Sequence, residues 1–309
     1  MRTVRGRVAE VVGPRTFAVR EQEFEPPAAG RVLVRVSQVG ICASDLDDWR
    51  RGPAPGEAPL RLGHEPVGVV HAVGAGVEGL RAGEVVTGRL VPCFADYVTA
   101  DPSDVVVVPD GADPALALGE PLGCVVEGYR RAVPAVGAST AVIGLGFMGL
   151  VMTQLLARSP VSAVWAIDPR ADARSTALAT GATGAFSPGS VALGGVDLVV
   201  EASGTQAGLD LASELVAEHG TVSVLGYHQS RRGVDMSMWN WKALDVVNAH
   251  VRDGRLLAAA TRSALRLLAA GRLDLAPLLT HHFPLERAGE AYEALESKPE
   301  GFHKAVITL

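Results

Sequence analysis

One glycine-rich hexapeptide constrains this chain more than any other feature. It reads Gly144-Leu145-Gly146-Phe147-Met148-Gly149, follows the apolar run 141–143 and opens a helical segment that continues to residue 157. Downstream, short apolar runs alternate with helical segments, among them one over 208–217, as far as 222–225. Strands that alternate with helices in this way are typical of parallel βαβ units. The second half of the chain is therefore predicted to form a doubly wound, Rossmann-type α/β domain.

The three glycines of this loop suit a dinucleotide. Gly144 allows a tight turn, Gly146 lets backbone N–H groups approach a pyrophosphate, and Gly149 lets the helix pack closely on the strand. The N-terminus of the helix adds unpaired N–H donors and the positive end of its dipole. An alternative is that these glycines only shape a turn between a strand and a helix.

The acid that follows the second strand indicates which dinucleotide is bound. Asp168 lies about 20 residues after the loop, where a carboxylate can bond the adenosine ribose hydroxyls. The same carboxylate would repel a 2′-phosphate, so the sequence favours NAD over NADP. Arg170 and Arg174 are close enough in sequence to weaken that preference. The alternative role for Asp168 is to cap the next helix.

The first 110 residues have the pattern of β-strands. Residues 31–36 alternate with period two, and 104–108 form an apolar run that ends in a Pro-Asp-Gly turn. A long amphipathic helix is predicted over 254–270, followed by a short helix over 285–295 and a final strand over 304–308. The organisation predicted is a β-rich domain, an α/β domain and a C-terminal segment.

Composition excludes several functions. The formal net charge is −6, whereas proteins that bind nucleic acid are typically basic, so nucleic acid is not expected as a partner. No run reaches the roughly 18 apolar residues of a membrane span, and the N-terminus lacks the pattern of a signal peptide. Three cysteines do not make a disulfide framework. We therefore expect a cytoplasmic enzyme that does not associate with membranes.

The first domain carries residues that could hold a metal ion. Cys42, His64 and one carboxylate, Glu65 or Glu120, would form a mixed sulfur, nitrogen and oxygen set. Such a set suits a catalytic zinc with an open position better than a closed structural site. Taken singly, a cysteine or a histidine at these positions could equally be a buried core residue.

Several short motifs together resemble the zinc-dependent medium-chain alcohol and polyol dehydrogenases. They are Gly-Ile-Cys-x-Ser-Asp at 40–45, Gly-His-Glu-x-x-Gly at 63–68, Phe-Ala-Asp-Tyr-Val at 94–98 and Glu-Pro-Leu at 120–122. The resemblance implies a GroES-like catalytic domain over 1–125 and 271–309, and a Rossmann domain over 126–270. It also implies an active site in the cleft between the two domains.

The resemblance assigns roles to the candidate metal site. Cys42 and His64 would be zinc ligands, and Glu65 would be a ligand or an alternate ligand. Glu120 takes a place held by cysteine in one branch of the family and by glutamate in the polyol branch. Cys124, four residues further on, is not expected to be the ligand.

The resemblance also assigns roles in proton transfer and cofactor binding. Ser44 would bond the substrate hydroxyl and pass its proton outward, and Asp45 would orient His64 through the other ring nitrogen. Asp47 stands where many members have a proton-relaying histidine; either this carboxylate accepts the proton or water carries it. The residues expected to line the ribose and nicotinamide of the cofactor are Ser203, Gly204, Leu225, Gly226 and Tyr227.

The four-cysteine lobe that binds a structural zinc in many members is missing. Residues 84–88 pass almost directly to 91–94, with Cys93 as the one cysteine there. One catalytic Zn²⁺ is therefore expected.

The function implied is hydride transfer between a secondary alcohol (a polyol, sugar or cyclitol) and NAD. The substrate would be a small alcohol or ketone, and the protein would form a homo-oligomer, a dimer or tetramer. Two alternatives remain: a zinc-free quinone or enone reductase of the same fold that uses NAD(P)H, and an NAD-binding regulator without turnover. Cys42, His64 and Asp168 argue against the reductase, and Ser44 argues against the regulator.

Overall fold

The structure is a computed structural model that describes residues 2–309. The strands within these residues are β1 (Val4–Gly13), β2 (Thr16–Phe24), β3 (Val32–Gly40), β4 (Glu65–Val73), β5 (Val85–Gly88), β6 (Tyr97–Ala100), β7 (Val105–Val107), β8 (Ser139–Ile143), β9 (Ala163–Ile167), β10 (Gly184–Phe186), β11 (Val196–Glu201), β12 (Val216–Val224), β13 (Asp245–Asn248), β14 (Leu279–Pro284) and β15 (Lys304–Thr308).

The α-helices of the same residues separate these strands. They are α1 (Leu46–Arg51), α2 (Gly119–Arg131), α3 (Phe147–Ala157), α4 (Ala171–Ala179), α5 (Gln206–Leu215), α6 (Met236–Lys242), α7 (Gly254–Ala269) and α8 (Ala288–Ser297). Short 3-10 turns, among them Ala43–Asp45, join several elements.

The chain divides into two compact units. The first contains Met1–Gly123, Asp253–Gly271 and Leu279–Leu309, and the second contains Cys124–Arg252 and Arg272–Leu278. Helix α7 thus groups with the first unit, although the predicted domain limits assign it to the Rossmann domain. Thr261 of α7 donates a hydrogen bond to the backbone oxygen of Gly119, 3.1 Å away, which explains this grouping.

The first unit is built on a mixed sheet with the order β14-β15-β3-β4-β5-β7, and β6 pairs with β3. Strand β3 pairs antiparallel with both β4 and β15, so three segments far apart in sequence meet at its end. The hairpin of β1 and β2 adds a separate two-stranded sheet. The sequence pattern does not predict this hairpin, because charged residues interrupt its apolar ones.

Three aromatic side chains from distant segments anchor the core of this unit. Tyr292 of α8 packs against Trp49 of α1 at 5.4 Å between ring centroids, and against Phe94 at 6.1 Å. All three are at most 2% exposed. Burial of such large rings stabilises a unit strongly, so the C-terminal segment is an integral part of this core.

The second unit confirms the predicted doubly wound α/β fold. Its six strands are parallel and follow the order β10-β9-β8-β11-β12-β13. The chain runs outward from β8 in one direction to β10 and then returns to β11 on the other side. The carboxyl ends of β8 and β11 therefore flank the point where the strand order reverses, which is where ligands bind in sheets of this kind.

One helix boundary differs from the prediction. A helix was expected over 208–217, but α5 ends at Leu215 and β12 begins at Val216. Val216 already pairs with Val196 of β11, and the register then shifts before Thr221 pairs with Leu198. His219, with a φ of 57°, lies in this irregular stretch. Strand pairing, which local sequence does not reveal, ends the helix early.

Across residues 2–309, the helices lack the combination of length and hydropathy that spanning a bilayer requires.

The close approach of β3 and β4 allows a test of the fold. A Cβ atom at Gly68 of β4 would lie 2.3 Å from the backbone oxygen of Arg35, an atom that cannot move without breaking the sheet. We expect Gly68→Ala to lower the free energy of unfolding by about 1–3 kcal/mol, measured by urea denaturation. Gly233→Ala, which faces open space, is the matched control and should change it by less than about 0.5 kcal/mol. Equal effects of the two substitutions would contradict this account of the β3–β4 contact.

Candidate metal and dinucleotide sites

The pairing of β3 with β4 brings the candidate metal ligands together. Cys42 follows the end of β3, His64 precedes β4, and the last residue of β3, Gly40, is the register partner of Glu65. One ligand atom from each of Cys42, His64 and Glu65 lies within 4.8 Å of the others. Zinc bonds sulfur at about 2.3 Å and nitrogen at about 2.0 Å, so one ion can reach all three after small side-chain rotations.

Asp45 holds the imidazole of His64. Its Oδ1 atom is 3.4 Å from His64 Nδ1, which leaves Nε2 for a metal. Asp45 also accepts hydrogen bonds from the Gly63 amide at 3.4 Å and from the Tyr292 hydroxyl at 3.3 Å. A carboxylate behind a histidine fixes the ring orientation and raises its basicity as a ligand. Asp45 therefore lies where it can orient His64, and its role as the residue behind a metal ligand stays a prediction.

The surroundings of His64 favour the positively charged form of its imidazole. Burial lowers the pKa of this imidazole, but hydrogen bonds to Asp45 and Cys42 outweigh the burial and raise the pKa from 6.5 to about 12. A site that stabilises a cation so strongly is also electrostatically suited to a divalent metal. The hydroxyl of Ser44 lies beside this group and donates to Cys42 Sγ at 3.2 Å.

A buried lysine faces the third candidate ligand. Lys304 Nζ lies 2.5 Å from Glu65 Oε2, and the two side chains are 7% and 1% exposed. Among residues 2–309 this carboxylate oxygen has no hydrogen bond of ordinary geometry besides that ion pair. Burial lowers the pKa of Lys304, but the charges of Glu65, Cys42 and Glu120 outweigh burial and raise it. The sulfur, nitrogen and oxygen donors of Cys42, His64 and Glu65 fit a zinc ion.

The other candidates named from the sequence lie outside this three-residue group. Glu120 is 8% exposed, and its negative charge helps to raise the pKa of Lys304. Cys124 is four residues further along α2. Cys93 is fully buried, and burial raises the pKa of its thiol well above the usual range, so it stays neutral. Asp47 is 58% exposed and pairs with Arg50 at 3.1 Å.

The dinucleotide loop of the second unit has the shape that its sequence predicts. Gly144 has a φ of +91°, and a Cβ there would lie 2.5 Å from the Ser203 amide nitrogen. A Cβ at Gly149 would lie 1.9 Å from the Gly144 oxygen, whereas a Cβ at Gly146 would meet nothing within 4 Å. Helix α3 begins after Gly146 without a side-chain cap. Open space in front of uncapped N–H groups is a cradle that suits a pyrophosphate.

Asp168 accepts a hydrogen bond from the glycine-rich loop of residues 144–149. It is 6% exposed, and its carboxylate accepts hydrogen bonds from the Leu145 amide at 2.7 Å and from the Arg170 amide at 2.8 Å. Arg170 also lies 3.5 Å from this carboxylate, and Arg174 donates to the backbone oxygens of Asp168 and Pro169 at 2.8 Å. Asp168 thus joins the ends of two neighbouring strands, β8 and β9.

The remaining predicted cofactor residues surround a glutamate that the sequence motifs do not indicate. Ser203 and Gly204 follow β11, and Leu225, Gly226 and Tyr227 follow β12. Glu201, fully buried at the end of β11, accepts bonds from the amides of Ser203 and Gly204. Tyr292 and Lys304 were missed as well. Glu201 ends an apolar run and Lys304 begins one, and neither signal reveals a partner far away in sequence.

Two family models match the segments that carry these sites. Residues 28–110 match the model of the alcohol dehydrogenase GroES-like domain, and residues 168–300 match the model of a zinc-binding dehydrogenase. The chain belongs to the zinc-binding alcohol and polyol dehydrogenases of the medium-chain dehydrogenase/reductase superfamily.

Curated relatives align over most of their length. L-threonine 3-dehydrogenase of Bacillus subtilis is 28% identical, with 86% of this chain and 88% of the relative covered. The 2-dehydro-3-deoxy-L-galactonate 5-dehydrogenase of Pseudoalteromonas atlantica is 26% identical, with 97% of each chain covered.

Solved structures share the fold. A protein described as a zinc-binding dehydrogenase from Sinorhizobium meliloti 1021, bound to NADP, superposes with a TM-score of 0.86 at 22% identity and covers 99% and 100% of the two chains. A protein from E. coli CFT073 described as a short chain alcohol dehydrogenase (rspB), complexed with NADH, has a TM-score of 0.87 at 22% identity and covers 99% of each chain. The fold therefore occurs with both nicotinamide cofactors.

The Lys304–Glu65 pair can be tested through stability. Lys304→Met would leave a buried carboxylate without its cation, so we expect the free energy of unfolding of the metal-free protein to fall by about 3–5 kcal/mol. Because Glu65→Gln in the same chain removes the uncompensated charge, the double variant should recover most of this loss. Urea denaturation of the two single variants and the double variant measures the coupling. A loss below about 1 kcal/mol for Lys304→Met would contradict the importance of the pair.

Proposed function

We propose that the protein is an NAD-dependent dehydrogenase that uses one catalytic Zn²⁺ to oxidise a secondary alcohol to a ketone, or to catalyse the reverse reaction. The observation that carries the proposal is the group of Cys42, His64 and Glu65 ligand atoms, with the Ser44 hydroxyl beside it. Cys42 and His64 would hold the ion. Glu65 is its third or alternate ligand, and Glu120 remains a further candidate.

A bound zinc would act as a Lewis acid that makes the alcohol proton easier to remove, and the nicotinamide would accept the hydride. The chain supplies the path of the proton. Ser44, whose hydroxyl lies 3.2 Å from Cys42 Sγ, would accept a hydrogen bond from the alcohol and pass its proton outward. Asp45 and Tyr292 keep the imidazole of His64 fixed meanwhile. Asp47, whose carboxylate is 58% exposed, is proposed as the outer end of this path.

The proposed substrate is a small polyol, sugar or related hydroxy compound. Glu120 stands where the polyol branch of the family has glutamate. The names of the relatives, a threonine dehydrogenase and a deoxygalactonate dehydrogenase, describe small polar alcohols. A homo-oligomer, dimer or tetramer, is also proposed. Within residues 2–309 strand β13 pairs only with β12, so its other edge could accept a strand of a second copy.

The metal can be tested by elemental analysis. We expect purified protein to hold one zinc ion per chain, and Cys42→Ala and His64→Ala to lose it. Turnover of an alcohol should fall with the metal by about 1,000-fold or more, since a Lewis acid contributes several kcal/mol to such a step. Cys124→Ala, which removes a thiol outside the group, is the matched control and should keep both the zinc and the activity. Turnover that survives the loss of both ligands would favour a zinc-free reductase.

The choice of cofactor can be tested at Asp168. Its carboxylate would lie close to a 2′-phosphate, so removal of the charge should favour NADP. We expect Asp168→Ala to raise the ratio of kcat/KM for NADP to that for NAD by about 10- to 100-fold. Asp197→Ala, which removes a carboxylate that bonds the Ser139 amide at the amino end of β8, should leave the ratio unchanged. A wild-type protein that prefers NADP would overturn the assignment.

A further inference from the structure

The buried carboxylate of Glu201 is the start of a closed ring of hydrogen bonds. Its Oε1 atom accepts bonds from the Ser203 amide at 2.7 Å and the Gly204 amide at 2.9 Å. Its Oε2 atom lies 2.8 Å from His228 Nε2. Because Glu201 is fully buried, these partners replace the water that a carboxylate would otherwise need.

An arginine closes the ring on the far side. Arg232 Nε donates to His228 Nδ1 at 3.0 Å, and Arg232 Nη2 donates to the Gly204 backbone oxygen at 2.9 Å. The four members of the ring are therefore Glu201, His228, Arg232 and Gly204, which we call the Glu201 ring. It joins the segment after β11 to the segment after β12.

The hydrogen bonds of the ring fix the tautomer of its histidine. An imidazole that accepts a bond from Arg232 at Nδ1 must carry its proton on Nε2, where it donates to Glu201. Each member thus meets a partner of opposite hydrogen-bonding character. If one acceptor of the ring were replaced by a donor, two donors would face each other and the hydrogen bond between these two members would be lost.

The segments that the ring joins are in direct contact. A Cβ at Gly226 would lie 2.4 Å from the Gly204 amide nitrogen and 2.6 Å from Glu201 Oε2, and a Cβ at Gly204 would lie 2.7 Å from the Tyr227 oxygen. The Ser203 backbone in turn packs on Gly144 of the dinucleotide loop. A shift of residues 203–204 would therefore disturb residues 226–227.

We propose that the Glu201 ring is a positioning element for the nicotinamide half of the bound dinucleotide. This rests on the proposed function, in which residues 203–204 and 225–227 line that half. The adenosine half is proposed to contact Asp168 and the 144–149 loop, which lie outside the ring. Rigid loops bind a ligand more tightly because less ordering is needed on binding. Glu201, His228 and Arg232 are thus positioning residues that act through the loops they hold.

Two ligands distinguish positioning from general stability. ADP carries the adenosine and pyrophosphate but no nicotinamide riboside, whereas NADH carries both halves. The zinc-loaded full chain is titrated with each ligand by calorimetry. We expect Arg232→Met to raise the Kd of NADH by about tenfold, the effect of losing bonds to a charged group, and that of ADP by less than about twofold.

A second variant probes the buried member of the ring. Gln at position 201 presents a donor where His228 also donates, so Glu201→Gln should weaken NADH binding at least as much as Arg232→Met and should raise the KM for NAD more than it lowers kcat. Arg231→Met, an exposed neighbouring arginine outside the ring, is the matched control and should bind both ligands like the wild type. Arg232→Met keeps the test valid if Glu201→Gln does not fold.

The outcomes separate the two proposals. Equal weakening of NADH and ADP in Arg232→Met, or unchanged NADH binding, would overturn the role of the ring. A wild-type protein that binds neither NADH nor ADP would overturn the proposed function instead.

Discussion

The balance of buried charge at the end of β3 is the constraint on which the first unit depends. Cys42, Asp45 and Glu65 bring sulfur and carboxylate groups into a mostly buried space, and such groups require cations close by. His64 and Lys304 supply positive charge from the starts of β4 and β15. Gly40 leaves the room that these groups need, since a Cβ there would lie 2.2 Å from Glu65 Oε2. The same arrangement that holds the charges also suits a divalent metal.

The second unit depends in a similar way on carboxylates at the carboxyl ends of its parallel strands. Asp168 bonds the amide of Leu145 in the glycine-rich loop, and Glu201 bonds the amides of Ser203 and Gly204. Each acid joins a strand end to a neighbouring loop through short bonds to backbone N–H groups. Loops held in this way can present their remaining N–H groups to a ligand with little loss of entropy on binding.

Much of the fold could be predicted because it follows from local patterns. The final strand at 304–308 and the helix after Gly146 were found from hydropathy and glycine spacing alone. The β1–β2 hairpin and the early end of α5 were not, because cross-strand pairing decides them. At the candidate site, Cys42, His64 and Glu65 were found through short motifs. Tyr292 and Lys304 lie about 250 residues from Cys42 and belong to no such motif.

The sequence by itself determined the parallel α/β unit and the glycine-rich loop, since these depend on spacing along the chain. Its short motifs supplied the candidate zinc ligands through their resemblance to the zinc-dependent dehydrogenases. The tertiary structure decided which of the candidates meet. It brought Cys42, His64 and Glu65 together, placed Lys304 against Glu65, and turned Asp47 outward to Arg50. It also joined Glu201, His228 and Arg232 in one ring. The physical reason is that strand pairing and burial bring together residues whose separation in sequence carries no trace of the contact.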